Sequence, residues 1–296
     1  MRNRGVLLGG VAICWLAALP VHGDDDGARF AALLRDVAPS VVTVKIVTKS
    51  TVESGGKSVD HETRYEIPGV MVDGSGLILT SIMPFAPEHL MKLVMGGREG
   101  SVPDIKTVPG DIEVLFGQNE KENSAFLAAT DSNLGLAFLQ LEPLADQKPK
   151  AVDFAHPGTL AVGDQIAVVS RLAKGYDSAP YFETARISGE ISKPRQAWTT
   201  DHQISALGLP VFSPAGRVVG ILATVDSGIS EADAPSGGGL SRGIEALVGG
   251  GGLLRVFVLP APAVAAVIDQ ARQQAAQKSA ARAAKKAAAP PAPGKS

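Results

Sequence analysis

Several hydroxyl, imidazole and carboxylate side chains lie close enough in the chain to suggest nucleophilic hydrolysis. Ser236 is followed by Gly237 and Gly238, with Asp233 nearby, and Ser205 follows the pair Asp201-His202. A serine attacks a carbonyl only when a base takes its proton and a third group holds that base in one tautomer. The surroundings therefore matter as much as the residue types. Ser236 sits between glycine runs with no strand and turn after it, and reads as part of a flexible Gly/Ser loop. His89 falls on a short helical run after Pro87 and reads as exposed, while His61 and His156 lie in polar stretches and read as solvated. His202 is the histidine of most interest, because it precedes a tight Gly-containing turn at Ser205–Pro210. No histidine pair has helical or hairpin spacing for zinc, so neither a metal nor another cofactor is expected.

The elements that must position these residues are mostly strands. A helical run over 28–37 ends before Pro39, and short β-rich runs follow, separated by Gly, Pro, Asn and Asp. Strands are expected near 41–47, 64–72, 77–80, 91–96, 112–117, 124–129, 135–141, 165–170, 182–192, 209–213, 217–224 and 253–258. Asp73-Gly74-Ser75-Gly76 and Ser213-Pro214-Ala215-Gly216 carry hairpin-turn chemistry. Helical periodicity returns over 261–277. Many strands without alternating helices point to an all-β barrel or sandwich, and 296 residues with 45% apolar content can bury its core.

The two ends differ from this body. Residues 1–23 have a positive start (Arg2, Arg4), an apolar stretch from Val6 to Leu19, and Val21-His22-Gly23 before an acidic run, the pattern of a cleaved secretory signal. The single cysteine, Cys14, lies inside that stretch, so the mature chain has no disulfide, which suits a bacterial periplasm or exterior. Residues 271–296 carry six Lys/Arg and no acid, and read as a basic Ala/Lys/Pro-rich tail that frays into disorder. That +6, with +2 from the leader, leaves −10 on the remainder of a chain whose net charge is −2. An acidic body and a tail without aromatics argue against specific nucleic-acid binding. The tail could make only a non-specific contact with an anionic surface.

The order of segments resembles the HtrA/Deg branch of trypsin-like serine proteases. The likeness is carried by Ala38-Pro39-Ser40-Val41-Val42-Thr43-Val44, by Gly69 through Thr80, by Ala129-Thr130-Asp131 through Leu139, by Val162-Gly163-Asp164-Gln165 through Val169, by Pro210-Val211-Phe212 with Gly216 through Ile221, and by Val258-Leu259-Pro260. It implies an all-β domain over 24–270 built as two six-stranded antiparallel β-barrels, the chymotrypsin fold, with short N-terminal and C-terminal helices. The stretch after Arg272 does not resemble the PDZ module that follows in this family.

The departures from the family pattern fall on its catalytic positions. In register from Thr80, the place of the general base is Met83; counting back from Ala137, the place of the orienting aspartate is Gly135. Aligned on Gly208 and Pro210, the place of the nucleophile is Leu207. The resemblance thus implies a triad replaced by apolar or absent side chains that line an apolar groove between the barrels. Leu209 also replaces a glycine of the turn that forms the oxyanion hole. The function expected is a catalytically inactive envelope protein that binds a peptide or protein partner through the retained protease cleft. The alternatives are an active serine endopeptidase using a displaced nucleophile (Ser236 or Ser205 with His202 or His89) and an attachment protein acting through its basic tail.

Overall fold

Runs of apolar residues broken by turn chemistry give twelve strands among the described residues, and these close into two barrels. The computed structural model describes residues 25–54, 57–86, 104–119, 121–143, 149–224 and 256–288. The first barrel contains β1 (Val41–Ser54), β2 (Lys57–Met71), β3 (Leu77–Ser81), β4 (Asp104–Phe116), β5 (Asn123–Asp131) and β6 (Leu136–Leu141), in the order β1-β2-β3-β6-β5-β4. The second contains β7 (Gln165–Arg171), β8 (Pro180–Ile191), β9 (Ala197–Thr200), β10 (Pro210–Phe212), β11 (Val218–Thr224) and β12 (Val256–Pro260), in the order β10-β11-β12-β9-β8-β7. All neighbouring strands run antiparallel. Helix α1 (Asp25–Val37) precedes the first barrel, and helix α2 (Ala261–Ala288) follows the second.

Strands β3 and β6 are buried at every position, which explains why they read as continuous apolar runs rather than alternating ones. They pair side by side, Leu77 opposite Gln140 and Ser81 opposite Leu136. One face, with Ile78, Leu139 and Leu141, fills the first barrel alongside Val42, Val44 and Ile46. The other, with Leu77, Leu79 and Phe138, joins a larger core shared with the second barrel and both helices. Arg171, at the end of β7, pins the barrels together. Its guanidinium donates to the carbonyls of Val41 (2.8 Å), Ala38 (2.6 Å) and Ser178 (3.1 Å). Burial lowers its pKa, but an arginine stays charged.

Three expectations from the sequence are amended, and a fourth falls where the structure is not described. The strand expected at 91–96 lies outside the described residues. Strand β9 was not foreseen, since it is four residues long and only Ala197 and Trp198 are buried. Strands β1 and β2 run well beyond 47 and 64, pairing out to Ser54 opposite Lys57. Their polar composition hides a strand held by its ladder. Of the tail expected to be disordered from 271, residues 271–288 are instead helical, while 289–296 lie outside the described residues. Residue 271 lies inside α2, a continuous helix of 28 residues, about 42 Å long at 1.5 Å per residue. Ala261, Val264, Ile268, Ala271 and Ala275 form a buried stripe at helical spacing, and the alanine-rich remainder has the propensity to extend the helix past it.

Candidate site between the barrels

Three segments converge where the barrels touch. The first continues from β3. Ile82 N–H donates to the carbonyl of Gly135 (3.0 Å), and the amides of Phe85 and Ala86 donate back to the Ile82 carbonyl (2.8 and 3.1 Å). This helical turn carries Met83, whose own N–H donates to Ser81 Oγ (3.3 Å). The second segment is Gly135, immediately before β6. A Cβ placed there would meet only Thr224 Oγ1, at 3.7 Å, so the space a side chain would take is open. The third is the turn at Ala206–Leu209, closed by Leu209 N–H to the Ala206 carbonyl (3.2 Å). Two bonds with Leu222 fix it to β11: Gly208 N–H to the Leu222 carbonyl (2.8 Å) and Leu222 N–H to the Leu209 carbonyl (3.0 Å).

Gly208 makes a close backbone contact between the barrels. Its φ is +81°, and a Cβ there would lie 2.4 Å from Ser81 N and 2.7 Å from the Thr80 carbonyl carbon. Only a glycine lets this turn lie flat against the β3 backbone. That contact brings Met83, Gly135 and Leu207 around one niche, with Ser81, Gly208 and Thr224 also in its wall. The free space is about 10 Å³ for the centre of a water-sized sphere, roughly one water molecule. The niche is thus narrower than the groove expected from sequence, and the hydroxyls of Ser81 and Thr224 keep it from being wholly apolar.

Among the described residues, none that lines this niche is a histidine, acid, lysine or arginine. Ser81 is 8% exposed, and its hydroxyl serves as an acceptor for the Met83 amide. Ser205 is exposed. His202 is exposed too, with Nδ1 2.9 Å from Asp201 Oδ1. The Asp201 carboxyl is held below its usual range first by the Arg186 backbone N–H and then by the His202 charge. His156 pairs with Asp153 on the surface at 2.7 Å, and His61 lies on β2 opposite Ser50. Ser236, Asp233 and His89 lie outside the described residues. No group of His, Cys, Asp and Glu among the described residues could hold a metal ion. Sequence reasoning missed Ser81 and Thr224. Their approach depends on how two barrels dock, which no local pattern reports.

The family model described as "Trypsin-like peptidase domain" matches residues 68–221. No curated protein matches. Among solved structures, the chain is similar to an HtrA-type protease, AlgW, as a serine-to-alanine variant with a tripeptide. There the identity is 16% and the TM-score 0.47, over 81% of this chain and 62% of that one. It is also similar to Deg5, at 18% identity and a TM-score of 0.45, over 67% of this chain and 86% of that one. The chain spans less than two thirds of the length of the first of these.

Proposed function

The chain belongs to the trypsin-like peptidase domain family, and on that premise we propose that it is a non-catalytic member, of the HtrA/Deg type, that binds a peptide or protein partner in the cell envelope. The observation that carries this reading is the composition of the niche: Met83, Gly135 and Leu207 line it, and no described residue in its wall is a base or an acid. These are the positions that the family resemblance assigns to the general base, the orienting aspartate and the serine. A thioether accepts no proton near neutral pH, a glycine orients nothing, and an isobutyl group has no electron pair to offer. Loss of a single triad member costs on the order of 10⁴–10⁶ in kcat, and on this reading all three positions are replaced. Among the described residues, the hydroxyls of Ser81 and Thr224 have no base beside them in the niche to activate either one.

Main-chain recognition does not need the triad. An extended peptide can add to a strand edge through backbone hydrogen bonds alone. The envelope assignment rests on the leader-like pattern of residues 1–23. The test is retention without turnover. Unfolded casein is passed over immobilised mature protein and then incubated with it in solution. Retained and intact casein is the expected result; time-dependent cleavage that follows the purified protein would sink the proposal.

A further inference from the structure

On the far side of the first barrel, away from this niche, the ladder between β4 and β5 stops early. The two strands pair over Ile112–Ala125, Glu113–Ser124 and Val114–Asn123 only. The next pairs in that register would be Asp111 with Phe126 and Gly110 with Leu127. They do not form: β5 has an extra residue, Ala128, in its register with β6, and β4 carries a bulge of its own. Its pairing with β1 slips between Ile46–Ile112 and Thr48–Pro109, so Gly110 and Asp111 both face Val47. A bulge bends the strand that carries it, and Gly110 permits the bend by letting the backbone approach the Val47 carbonyl, 3.0 Å from where a Cβ would stand. β4 therefore follows β1 outward while β5 stays with β6.

The parting strands leave a notch of about 690 Å³, roofed by the distal part of α2, within the 300–1,000 Å³ range of sites that hold ligands. The roof is polar by design of the helix face. After Ala275 the buried stripe ends, and the same face continues as Lys278 and Arg282. Lys278 Nζ donates to the carbonyl of Leu127 at 3.2 Å. Its ammonium stands in for the strand N–H that β4 no longer supplies. Arg282 lies 4.7 Å above the Phe126 ring and donates to Glu142 at 2.9 Å. Both helix cations are thus committed. The β4 wall carries Asp111 and Glu113, and Lys45 beside them is bound by Glu122 at 2.7 Å. The Glu113 carboxyl is raised above its usual value by burial and then by Glu122 and Asp111, a crowding that an added cation would relieve.

We propose that this notch is a docking site for an extended basic peptide segment, which adds as a strand to the edge of β5 that β4 leaves unpaired at Phe126 and Leu127 and sets a Lys or Arg against Asp111 and Glu113. Its backbone N–H displaces the Lys278 ammonium from the Leu127 carbonyl. The backbone supplies the register, and the two carboxylates select the charge of the side chain.

The test uses the full chain and a fluorescein-labelled, end-blocked peptide, Thr-Lys-Val-Lys-Val-Thr, followed by anisotropy. Three comparisons accompany it: the Glu-for-Lys peptide, a peptide N-methylated at its central amide, and the double variant D111N/E113Q, whose substitutions are at the surface. The basic peptide is expected to bind at least tenfold more tightly than the acidic one. N-methylation and D111N/E113Q should each weaken it about tenfold. Hydrogen exchange should slow at 126–127 and 109–113 when the basic peptide binds. No binding, equal binding of the acidic peptide, or indifference to D111N/E113Q overturns the proposal. So does protection confined to 80–83 and 204–209, which would instead assign the peptide to the niche between the barrels.

Discussion

Replacing Gly208 with alanine tests the contact that forms the niche. Two costs act at this position. The backbone φ of +81° lies in the left-handed region, where an L side chain costs about 1–2 kcal/mol. The added Cβ would also stand 2.4 Å from Ser81 N, 2.7 Å from the Thr80 carbonyl carbon and 3.1 Å from Ser81 Cα. These are backbone atoms of a buried strand held to β6 along its length, so relief requires the barrels to separate locally; overpacking of this kind typically costs about 1–3 kcal/mol. The sum is about 2–5 kcal/mol. At about 2–4 °C per kcal/mol for a domain of this size, Tm should fall by roughly 4–20 °C. Gly216 supplies the comparison. It has a similar φ of +78°, but an added Cβ would meet only Leu33 Cδ1 at 3.9 Å. Gly216→Ala should therefore cost the backbone part alone, about 1–2 kcal/mol. Thermal unfolding followed by circular dichroism gives both values. Equal, small losses for the two variants would refute the close approach of the Ala206–Leu209 turn to β3.

Three further outcomes follow from the geometry. Arg171→Met removes the donors to the Ala38, Val41 and Ser178 carbonyls and should cost about 2–4 kcal/mol in urea unfolding; Arg171→Lys should recover little, because an ammonium lacks the planar fork, and full recovery would contradict the pinning role. Asp73, in the β2–β3 turn, has a side chain 16% exposed. Burial pushes its carboxyl up, but hydrogen bonds from Ser75, Arg272 and the Leu77 and Ser75 amides outweigh that and hold it below its usual value. A depressed folded-state pKa contributes stability that is complete above the unfolded value, near 3.9, and is lost as pH falls from there through the folded value. Asp73→Asn should flatten this acid limb of the stability–pH curve, and an unchanged limb would contradict it. Truncation after Ala275 removes no buried side chain of α2. It should cost only about 1–2 kcal/mol, from the Arg282 ion pair and ring contact, and less in high salt; a loss above about 4 kcal/mol would show that the distal helix packs more firmly than its contacts indicate.

Much of the first barrel could be read from the chain because burial on both faces makes β3 and β6 continuous apolar runs, and because Asp73-Gly74-Ser75-Gly76 is a turn in its own right. The second barrel was readable where β7 and β11 do the same. What escaped was structure held by pairing rather than by burial. The outer parts of β1 and β2 have polar side chains and a ladder, and β9 is too short to show a period. The length of α2 escaped for a related reason: alanine and lysine look like a solvated tail unless the stripe ending at Ala275 is known to dock. Within the niche, Met83, Gly135 and Leu207 could be named because Thr80, Ala137, Gly208 and Pro210 anchor the alignment around them. Ser81 and Thr224 could not, since they meet only when β3 and β11 come from different barrels. The β4–β5 notch depends on a slip in the β1–β4 register, to which Pro109-Gly110 gives only a local hint.

The most direct measurement for the absence of the triad is the intact mass of the purified protein after incubation with an excess of a fluorophosphonate probe. A chain with no activated serine stays at its own mass, whereas an active trypsin-like peptidase run beside it gains one phosphonyl group. That unshifted mass is the predicted result. A stoichiometric adduct on any serine, whether Ser81, Ser205 or Ser236, would contradict the account, and the labelled residue would name the nucleophile it had overlooked.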